Sequence, residues 1–342
     1  MPNVTIYTLA KELGMTTSMV SRAFNPDAKI NEEKRKIVLE TAKKYDFSPN
    51  KFASRLSRKT VRIGILINSR FSVNTEKMLE GIEEAYQNLK DYKIKYDVKI
   101  MNSMVNTVDE YKAYVKKLYS YDGVIISGMS SAKYTDILKE LYENNPNIVQ
   151  VQAINEDVPY LFSSKHDEKT ASYLSAEFLS RCLFKSERKN ILLFTGDRES
   201  YLHKEAEKLF KKALDENGLN LLDSIDMKDD VGYFEKIIPE VYSKYLNQID
   251  GIYITSGFSY PLSSYLEKNN IKIPYVTFDT YDEIKKYMEK GVISATISQN
   301  VRGQMASAFE ILCKYLITDG AVKKTVYTDV QLVLKSNIHQ FN

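Results

Sequence analysis

The chain holds no tryptophan, three histidines and two cysteines among 342 residues, and each scarcity removes a class of chemistry. Cys182 and Cys313 are far apart, match no metal-ligand spacing and are too few for a disulfide framework, which fits a reducing compartment. His166, His203 and His339 are scattered and match no metal site, so they read as surface or core filling. No Gly-x-Ser-x-Gly, His-Glu-x-x-His, Gly-x-x-x-x-Gly-Lys or Gly-x-Gly-x-x-Gly run occurs. No catalytic residue, metal or cofactor is assigned, and an enzyme is not expected. There is no apolar N-terminal segment of the signal-peptide kind and no run of about 18 apolar residues. A soluble, cytoplasmic protein with no membrane contact is expected.

What is present is unevenly spread. Residues 1–60 hold twelve Lys and Arg against six Asp and Glu, and the remainder holds 36 against 39. A basic head on a slightly acidic body implies that only the head meets a polyanion. The length exceeds a single core, so two or three domains are expected.

In the head, Thr5 is placed to cap a first helix from Ile6 to Leu13. Ile6, Leu9, Ala10 and Leu13 fall at i, i+3, i+4 and i+7, one buried stripe. Gly14 supplies a tight turn, where a positive φ costs it nothing. A second helix spans Thr17 to Phe24, with Val20, Ala23 and Phe24 facing inward and Thr17, Ser18, Ser21 and Arg22 facing out. A third, Glu32 to Tyr45, follows Asn31 as cap, and its Ile37, Val38, Thr41, Ala42 and Tyr45 are expected to close the small core. A helix, turn and helix of this kind lays its second helix in the DNA major groove. Thr17 and Ser18 are then candidates for base edges, and Arg22 for a bidentate contact to guanine. Thr5, Tyr7, Thr16, Ser21 and Asn25 are better placed for phosphates, which position without specifying.

Residues 4–60 resemble the DNA-binding head of the lactose-repressor (LacI/GalR) family. The matching positions are Val4-Thr5-Ile6-Tyr7, Leu9-Ala10, Gly14, Val20-Ser21-Arg22, Asn25, Lys34-Arg35, Val38-Leu39, Ser48-Pro49-Asn50, Ala53 and Leu56. Met19-Val20 and Phe47-Ser48 depart from the family's usual pairs without disturbing the helix pattern. Asn50 caps a basic run, Lys51 to Ser57, too short to be a stable helix alone. The resemblance implies that a homodimer packs two such hinge helices in the minor groove, with Asn50 and Ala53 at the DNA and Leu56 as an apolar wedge that kinks the duplex. The implied partner is a pseudo-palindromic double-stranded DNA operator.

Beyond residue 60, short apolar runs alternate with amphipathic helical stretches. Val61-Arg62-Ile63-Gly64-Ile65-Leu66-Ile67, Gly123 to Ser127 and Ile148 to Val151 form one set of strands. Asn190 to Phe194, Gly251 to Thr255 and Tyr275 to Phe278 form a second. The pattern predicts parallel sheets with helices on both faces, in two lobes. The expected fold is therefore an all-α helix-turn-helix head with a hinge helix, joined to an α/β two-lobed body. We expect one lobe from 61–155 with 290–318 and the other from 156–289 with 319–342, several chain crossings, and a cleft between them.

The body is similar to the type I periplasmic-binding-protein fold, on Asp167 to Leu179, Asn190 to Gly196, Thr277-Phe278-Asp279 and Gly291 to Gln299. The resemblance implies that Asp279 and Gln299 are polar anchors for a ligand; a carboxylate accepts from two vicinal hydroxyls at once and an amide both donates and accepts. Asn68, Arg70 and Phe71, after the first strand, are further candidates. Where the family often has Arg, Lys204 stands, preceded by His203, and a point charge replaces a planar fork. The family's common Asn-Asp is missing near Thr255 to Phe258. These departures fit a phosphorylated, acidic or unusual sugar, or a pocket that has lost its ligand. The resulting expectation is a homodimeric repressor of carbohydrate-utilisation genes with a sugar-like effector in the cleft; the alternative is the same regulator controlled by a protein docking on the body.

Overall fold

The computed structural model describes residues 6–24, 28, 30–45, 47, 60–70, 72–90, 92–318 and 320–341. The hinge run, with Asn50, Ala53 and Leu56, lies outside the described residues, as do Thr5, Asn25 and Phe71.

Three helices open the chain: α1 (Ile6–Glu12), α2 (Thr17–Ala23) and α3 (Glu32–Lys44). Thr16 caps α2 by accepting from the Met19 amide at 3.2 Å, and Asn31 caps α3 by accepting from the amides of Glu33 and Lys34. Glu32 and Glu33 open α3 and Lys43 and Lys44 close it, matching the helix dipole at both ends. Gly14 takes φ +60° in the turn between α1 and α2. Leu9, Ala10, Val20, Ala23, Val38 and Ala42 form the core, flanked by Phe24 and Phe47 edge to face at 6.0 Å. Three expected core residues of α3 are not in it: Thr41 is half-buried, Ile37 is 46% exposed and Tyr45 38%. Tyr45 instead crosses to α1, donating its hydroxyl to Glu12 at 2.8 Å. Arg35 ties α3 to the end of α2 by donating to the carbonyls of Ala23 and Ala28.

The body alternates strand and helix. The first lobe runs β1 (Val61–Asn68), α4 (Ser72–Asn88), β2 (Ile94–Met101), α5 (Val108–Leu118), β3 (Gly123–Ser127), α6 (Thr135–Asn144), β4 (Ile148–Val151) and β5 (Phe162–His166). The second runs α7 (Glu168–Cys182), β6 (Asn190–Thr195), α8 (Tyr201–Glu216), β7 (Asn220–Asp226), α9 (Val231–Lys244), β8 (Gly251–Ile254), α10 (Tyr260–Lys268), β9 (Tyr275–Phe278), α11 (Asp282–Glu289) and β10 (Ala295–Ser298). The chain then returns to the first lobe as α12 (Val301–Thr318) and β11 (Thr325–Thr328), and ends in the second with β12 (Gln331–Val333). The sheet orders are β11-β5-β4-β3-β1-β2 and β12-β10-β9-β8-β6-β7. The second repeats the first with β1 to β5 each replaced by the strand five places later, and with β12 in the place of β11. All pairings are parallel except β10 with β12.

The expected lobe boundaries need correction. β5, placed by the sequence in the second lobe, is in the first sheet; β10, placed in the first, is in the second; and β11 returns to the first sheet before β12 joins the second. The chain therefore crosses three times, after β5, after β10 and after β11.

Helices cover both faces of each sheet, which is why the strands read as nearly continuous apolar runs. In β1, Ile63, Ile65 and Ile67 pack under α4 and α12, while Leu66 faces α5 and α6. In the second lobe, Ile191 and Leu193 of β6 pack under α7 and α8, while Leu192 and Phe194 face α9 and α10. Gly81 is what lets α4 approach α12: a Cβ there would collide with the carbonyl oxygen of Arg302. Gly81→Ala should gain up to ~1 kcal/mol of helix propensity but lose ~1–3 kcal/mol to overpacking. The urea midpoint should fall with an unchanged slope; a midpoint that rises would show that the two helices separate freely.

Candidate functional site

The strand order of each sheet reverses beside its first strand, between β1 and β3 and between β6 and β8. At such a switch point the following loops part in opposite directions and leave a crevice at the carboxyl ends of the strands. The two lobes set these crevices face to face. Asn68 closes β1, Gly128 follows β3, Asp197 follows β6, and Thr255 and Ser256 follow β8; all line one cavity of about 190 Å³. His166, Asp279 and Gln299, at the ends of β5, β9 and β10, line it too.

Asp279 and Gln299, chosen from the sequence, lie together at the cleft: the Gln299 amide donates to the Asp279 carboxylate at 2.7 Å. Tyr281 donates its hydroxyl to the other carboxylate oxygen and lies within 3.4 Å of Asn74 on α4. Asp279 is buried in the left-handed region, φ +71°. Its amide donates to the Ile297 carbonyl at 2.7 Å and its carbonyl accepts from Thr296 at 2.6 Å, so β10 holds the turn. Burial pushes its carboxyl above the ordinary range, against the pull of Tyr281, Gln299 and the charges of His166 and Lys77.

Asn68 and Arg70 are also at the cleft. Asn68 donates to the Gly128 carbonyl at 2.5 Å and accepts from Tyr111 at 2.6 Å, which fixes the β1 and β3 loops to one another. Arg70 reaches across the cleft. Its guanidinium donates to the carbonyls of Lys228 and Asp229 in the second lobe at 3.2 and 3.1 Å, and to Ser103 in its own. Those two carbonyls are presented by a turn in which Lys228 and Asp229 both have positive φ. Ser130 and Ser200 meet at 2.8 Å, Tyr201 donates to Asp157, and Lys165 pairs with Glu205 at 3.2 Å, adding three further links between the lobes.

Lys204 is not in the cleft. It is exposed on α8, its ammonium over the Tyr201 ring. The helix phase explains this: His203, Ala206, Phe210 and Ala213 are the buried stripe, and Lys204 is one residue beyond it. His203 takes the place, and is neither surface nor core filling. Its Nε2 faces Asp229 at 3.1 Å and its Nδ1 faces Thr255 at 3.2 Å; Ser256 donates to Asp229 at 2.8 Å. Burial would lower the His203 pKa, but Asp229, with help from Glu168 and Asp197, outweighs it and the net shift is upward. For Asp229 burial would raise the pKa, and His203 and Ser256 reverse it to well below the carboxylate range. His166 forms a second such pair, with Glu168 at 2.7 Å, and both are buried. Glycines make room: a Cβ on Gly196 would strike the His203 ring, and one on Gly257 the Tyr281 hydroxyl.

On the head, Ser18 and Arg22 are exposed one turn apart on α2, with half-buried Thr17 and Ser21 beside them and Val20 and Ala23 buried behind. Thr16 is exposed but already caps the helix. Tyr7 lies within α1. Among the described residues no group of His, Cys, Asp or Glu could hold a metal ion, and no helix is long and apolar enough to cross a membrane.

Residues 63–320 match the family model described as periplasmic binding protein domain. The chain is 29% identical over 235 residues to catabolite control protein A of Priestia megaterium, covering 68% of this chain and 67% of that one. It is 24% identical over 261 residues to the HTH-type transcriptional regulator pepR1 of Lactobacillus delbrueckii subsp. lactis, covering 75% and 74%. The fold is similar to that of GanP, a glucose-galactose binding protein from Geobacillus stearothermophilus, with a TM-score of 0.71 at 16% identity, covering 82% of this chain and 99% of that one.

Two outcomes are expected. A hydrogen bond from a charged donor contributes about 1.5–3 kcal/mol, so Arg70→Ala should shift the balance of closed and open lobes roughly ten- to a hundredfold toward open. A larger radius of gyration in small-angle X-ray scattering would register it, and an unchanged profile would show that the remaining links suffice. The His203 pair makes stability depend on pH. A raised histidine pKa contributes fully below its unfolded value of 6.5 and is lost as pH rises through the folded value. The Asp229 share is present above 3.8 and lost on acidification below it. The stability difference between the wild type and His203→Gln should therefore be larger at pH 6 than at pH 9, in urea unfolding; equal differences would mean that the pair is not charged.

Proposed function

Because the chain belongs to the periplasmic binding protein domain family and is a LacI/GalR-type regulator of transcription in carbon catabolism, not an enzyme, we propose the following division of labour. The three N-terminal helices form a helix-turn-helix head that reads DNA, and the body is a sensor whose cleft takes a small sugar-like effector. Two chains act together as a homodimer on a pseudo-palindromic operator, most plainly as a repressor of carbohydrate-utilisation genes. The segment 50–60, with Asn50, Ala53 and Leu56, connects the two functions as a hinge.

The observation that carries the DNA reading is the face of α2. Ser18 and Arg22 stand exposed at i and i+4, over a buried Val20 and Ala23, directly after the Gly14 turn. A guanidinium at that place suits guanine O6 and N7, and Thr17 and Ser21 are beside it for a base edge and a phosphate. Thr5, Tyr7, Thr16 and Asn25 complete the phosphate contacts.

The effector reading rests on the polar floor of the cleft, where the Asp279–Gln299 pair meets the two histidine–carboxylate pairs. The sugar-binding GanP has the same fold, and a sugar is the ligand to which hydroxyl-accepting carboxylates are suited. A ligand that prefers one lobe angle shifts the dimer between two DNA affinities, and only by the difference in its affinity for the two states.

Selection of bound sequences from a random duplex pool, with the full chain at fixed salt, tests this. A two-fold symmetric site with half-sites about one helical turn apart is expected. Arg22→Ala should cost about 1–3 kcal/mol on that site and relax preference at one base pair in each half. Recovery of no preferred sequence would end the DNA reading, and full discrimination by the variant would remove Arg22 from it.

A further inference from the structure

Two segments of the second lobe reach across to the first, and one histidine joins them. We propose that His203 is a proton-operated brace of the closed body: protonated, it holds the two latching segments together and the lobes shut, and on losing its proton it lets them part. This coupling concerns the lobe angle and holds whatever the cleft binds.

The first latch is the start of α8. Ser200 meets Ser130, Tyr201 donates to Asp157, and Glu205 pairs with Lys165, each across the lobes. The second is the turn between β7 and α9, whose Lys228 and Asp229 carbonyls accept from Arg70 at 3.2 and 3.1 Å. Lys228 and Asp229 are consecutive non-glycine residues at φ +57° and +45°. Such a backbone persists only where its surroundings hold it. Here side chains do so. The Lys228 amide donates to the Asp226 carboxylate at 2.7 Å, and the Asp229 carboxylate is held by His203 at 3.1 Å and by Ser256 at 2.8 Å. His203 stands on the first turn of α8, so its bond to Asp229 ties one latch to the other.

The ring is placed to carry two protons. Its Nε2 faces a carboxylate, which only accepts. Its Nδ1 faces the Thr255 hydroxyl, which is directed onward to Thr195 at 3.5 Å and so can accept from the ring. The anions around it are Asp229 on the turn, Asp197 after β6 and Glu168 at the start of α7. Two cations lie further out: Arg70 is on the far side of the turn, and Lys204, on the same helix, turns away to the Tyr201 ring. His166 faces Glu168. The three acids outweigh burial, and the His203 pKa is raised. Loss of the proton leaves Asp229 a neutral hydrogen bond in place of an ion pair, about half as strong. Opening the cleft admits water to Asp229 and screens the pair, so closure and proton uptake favour one another.

The test is energy transfer between pH-insensitive dyes on Lys139→Cys of α6 and Lys208→Cys of α8, both exposed and on opposite lobes, in the full-length chain mixed with excess unlabelled protein. Cys182→Ser removes the exposed native thiol, and Cys313 is buried. No ligand is added. Transfer should be highest near pH 6 and fall toward pH 9, because the proton is lost as pH rises through the raised histidine value. The ratio of closed to open lobes should drop about tenfold for each unit by which closure raises that value. His203→Gln, which keeps a neutral donor for Asp229, should give a lower transfer that is flat over the same range, with its thermal midpoint as a check on folding. Arg70→Ala should also be low and flat. Transfer in the wild type that is constant, or that rises with pH, overturns the inference. A pH dependence that survives in His203→Gln assigns it to another group and overturns the inference as well. One that survives in full in Arg70→Ala overturns the part given to the Lys228–Asp229 turn.

Discussion

The constraint on which this molecule turns is the burial of carboxylates between two lobes. A charge taken out of water must be paired or hydrogen-bonded, or it must take up a proton. Asp229 meets this demand with His203 and Ser256, Glu168 with His166 and Ser172, and Asp279 with Tyr281 and Gln299. Every one of these residues lies at or just beyond the carboxyl end of a strand or the start of the following helix. Parallel sheets bring those ends to one edge, and the repeated strand order brings two such edges together. The fold thus creates the concentration of acid that the histidines then have to balance.

The same residues bear on motion. His166 and Gln299 belong to the segments by which the chain passes between lobes, and the third crossing lies beside them. The Gln299 carbonyl accepts from the Gln304 side chain at 2.7 Å and from the Thr328 hydroxyl at 3.4 Å, and the Gln304 carbonyl accepts from Ser164 at 2.8 Å. All three crossings are therefore braced at one point, on which Asp279 also depends through the Gln299 side chain. A ligand that contacted Asp279 or His166 would touch the crossing segments themselves. Arg70, Ser130 and Tyr201, at the opposite lips, are the groups that such a rotation would part.

Much of this was legible in the sequence, and the failures have physical causes. The alternation of β-rich runs with amphipathic helices gave the two-lobed α/β body, because strands buried on both faces leave an unmistakable apolar signature. The lobe boundaries were misplaced because β5, β10 and β11 are four or five residues long and their sheet membership is set by tertiary pairing. Asp279 and Gln299 were chosen on the family resemblance, and Asn68 and Arg70 because they stand at the end of the first strand; the structure places all four at the cleft. Lys204 was chosen by analogy of position, when the spacing of His203 from Ala206 and Phe210 already put the histidine on the buried face. Both cleft histidines were dismissed because metal spacing was the only role asked of them. Their partners are two residues away for His166 but 26 residues away for His203, and a partner at that distance becomes visible only when β6, β7 and β8 lie side by side. In the head, Ile37 and Tyr45 fit the helical stripe yet remain exposed, since three short helices bury one narrow face and leave the edges of the stripe in solvent.

The left-handed turn at Asp279 joins these strands of the argument. A non-glycine residue at φ +71° is uncommon, and here the backbone is held from both sides by β10. Glycine would relieve the conformation but would leave Tyr281 and Gln299 without the carboxylate they hold. The side chain is thus the reason that an unfavourable backbone persists. Because Tyr281 also approaches Asn74 on α4, the turn belongs to the second lobe while its hydrogen-bond chain ends in the first. A ligand that donated to this carboxylate would compete with Tyr281 for the same oxygens. It would loosen a contact between lobes as it makes its own, which gives the ligand unequal affinity for the two lobe angles. That inequality is the one property a regulator of this construction requires.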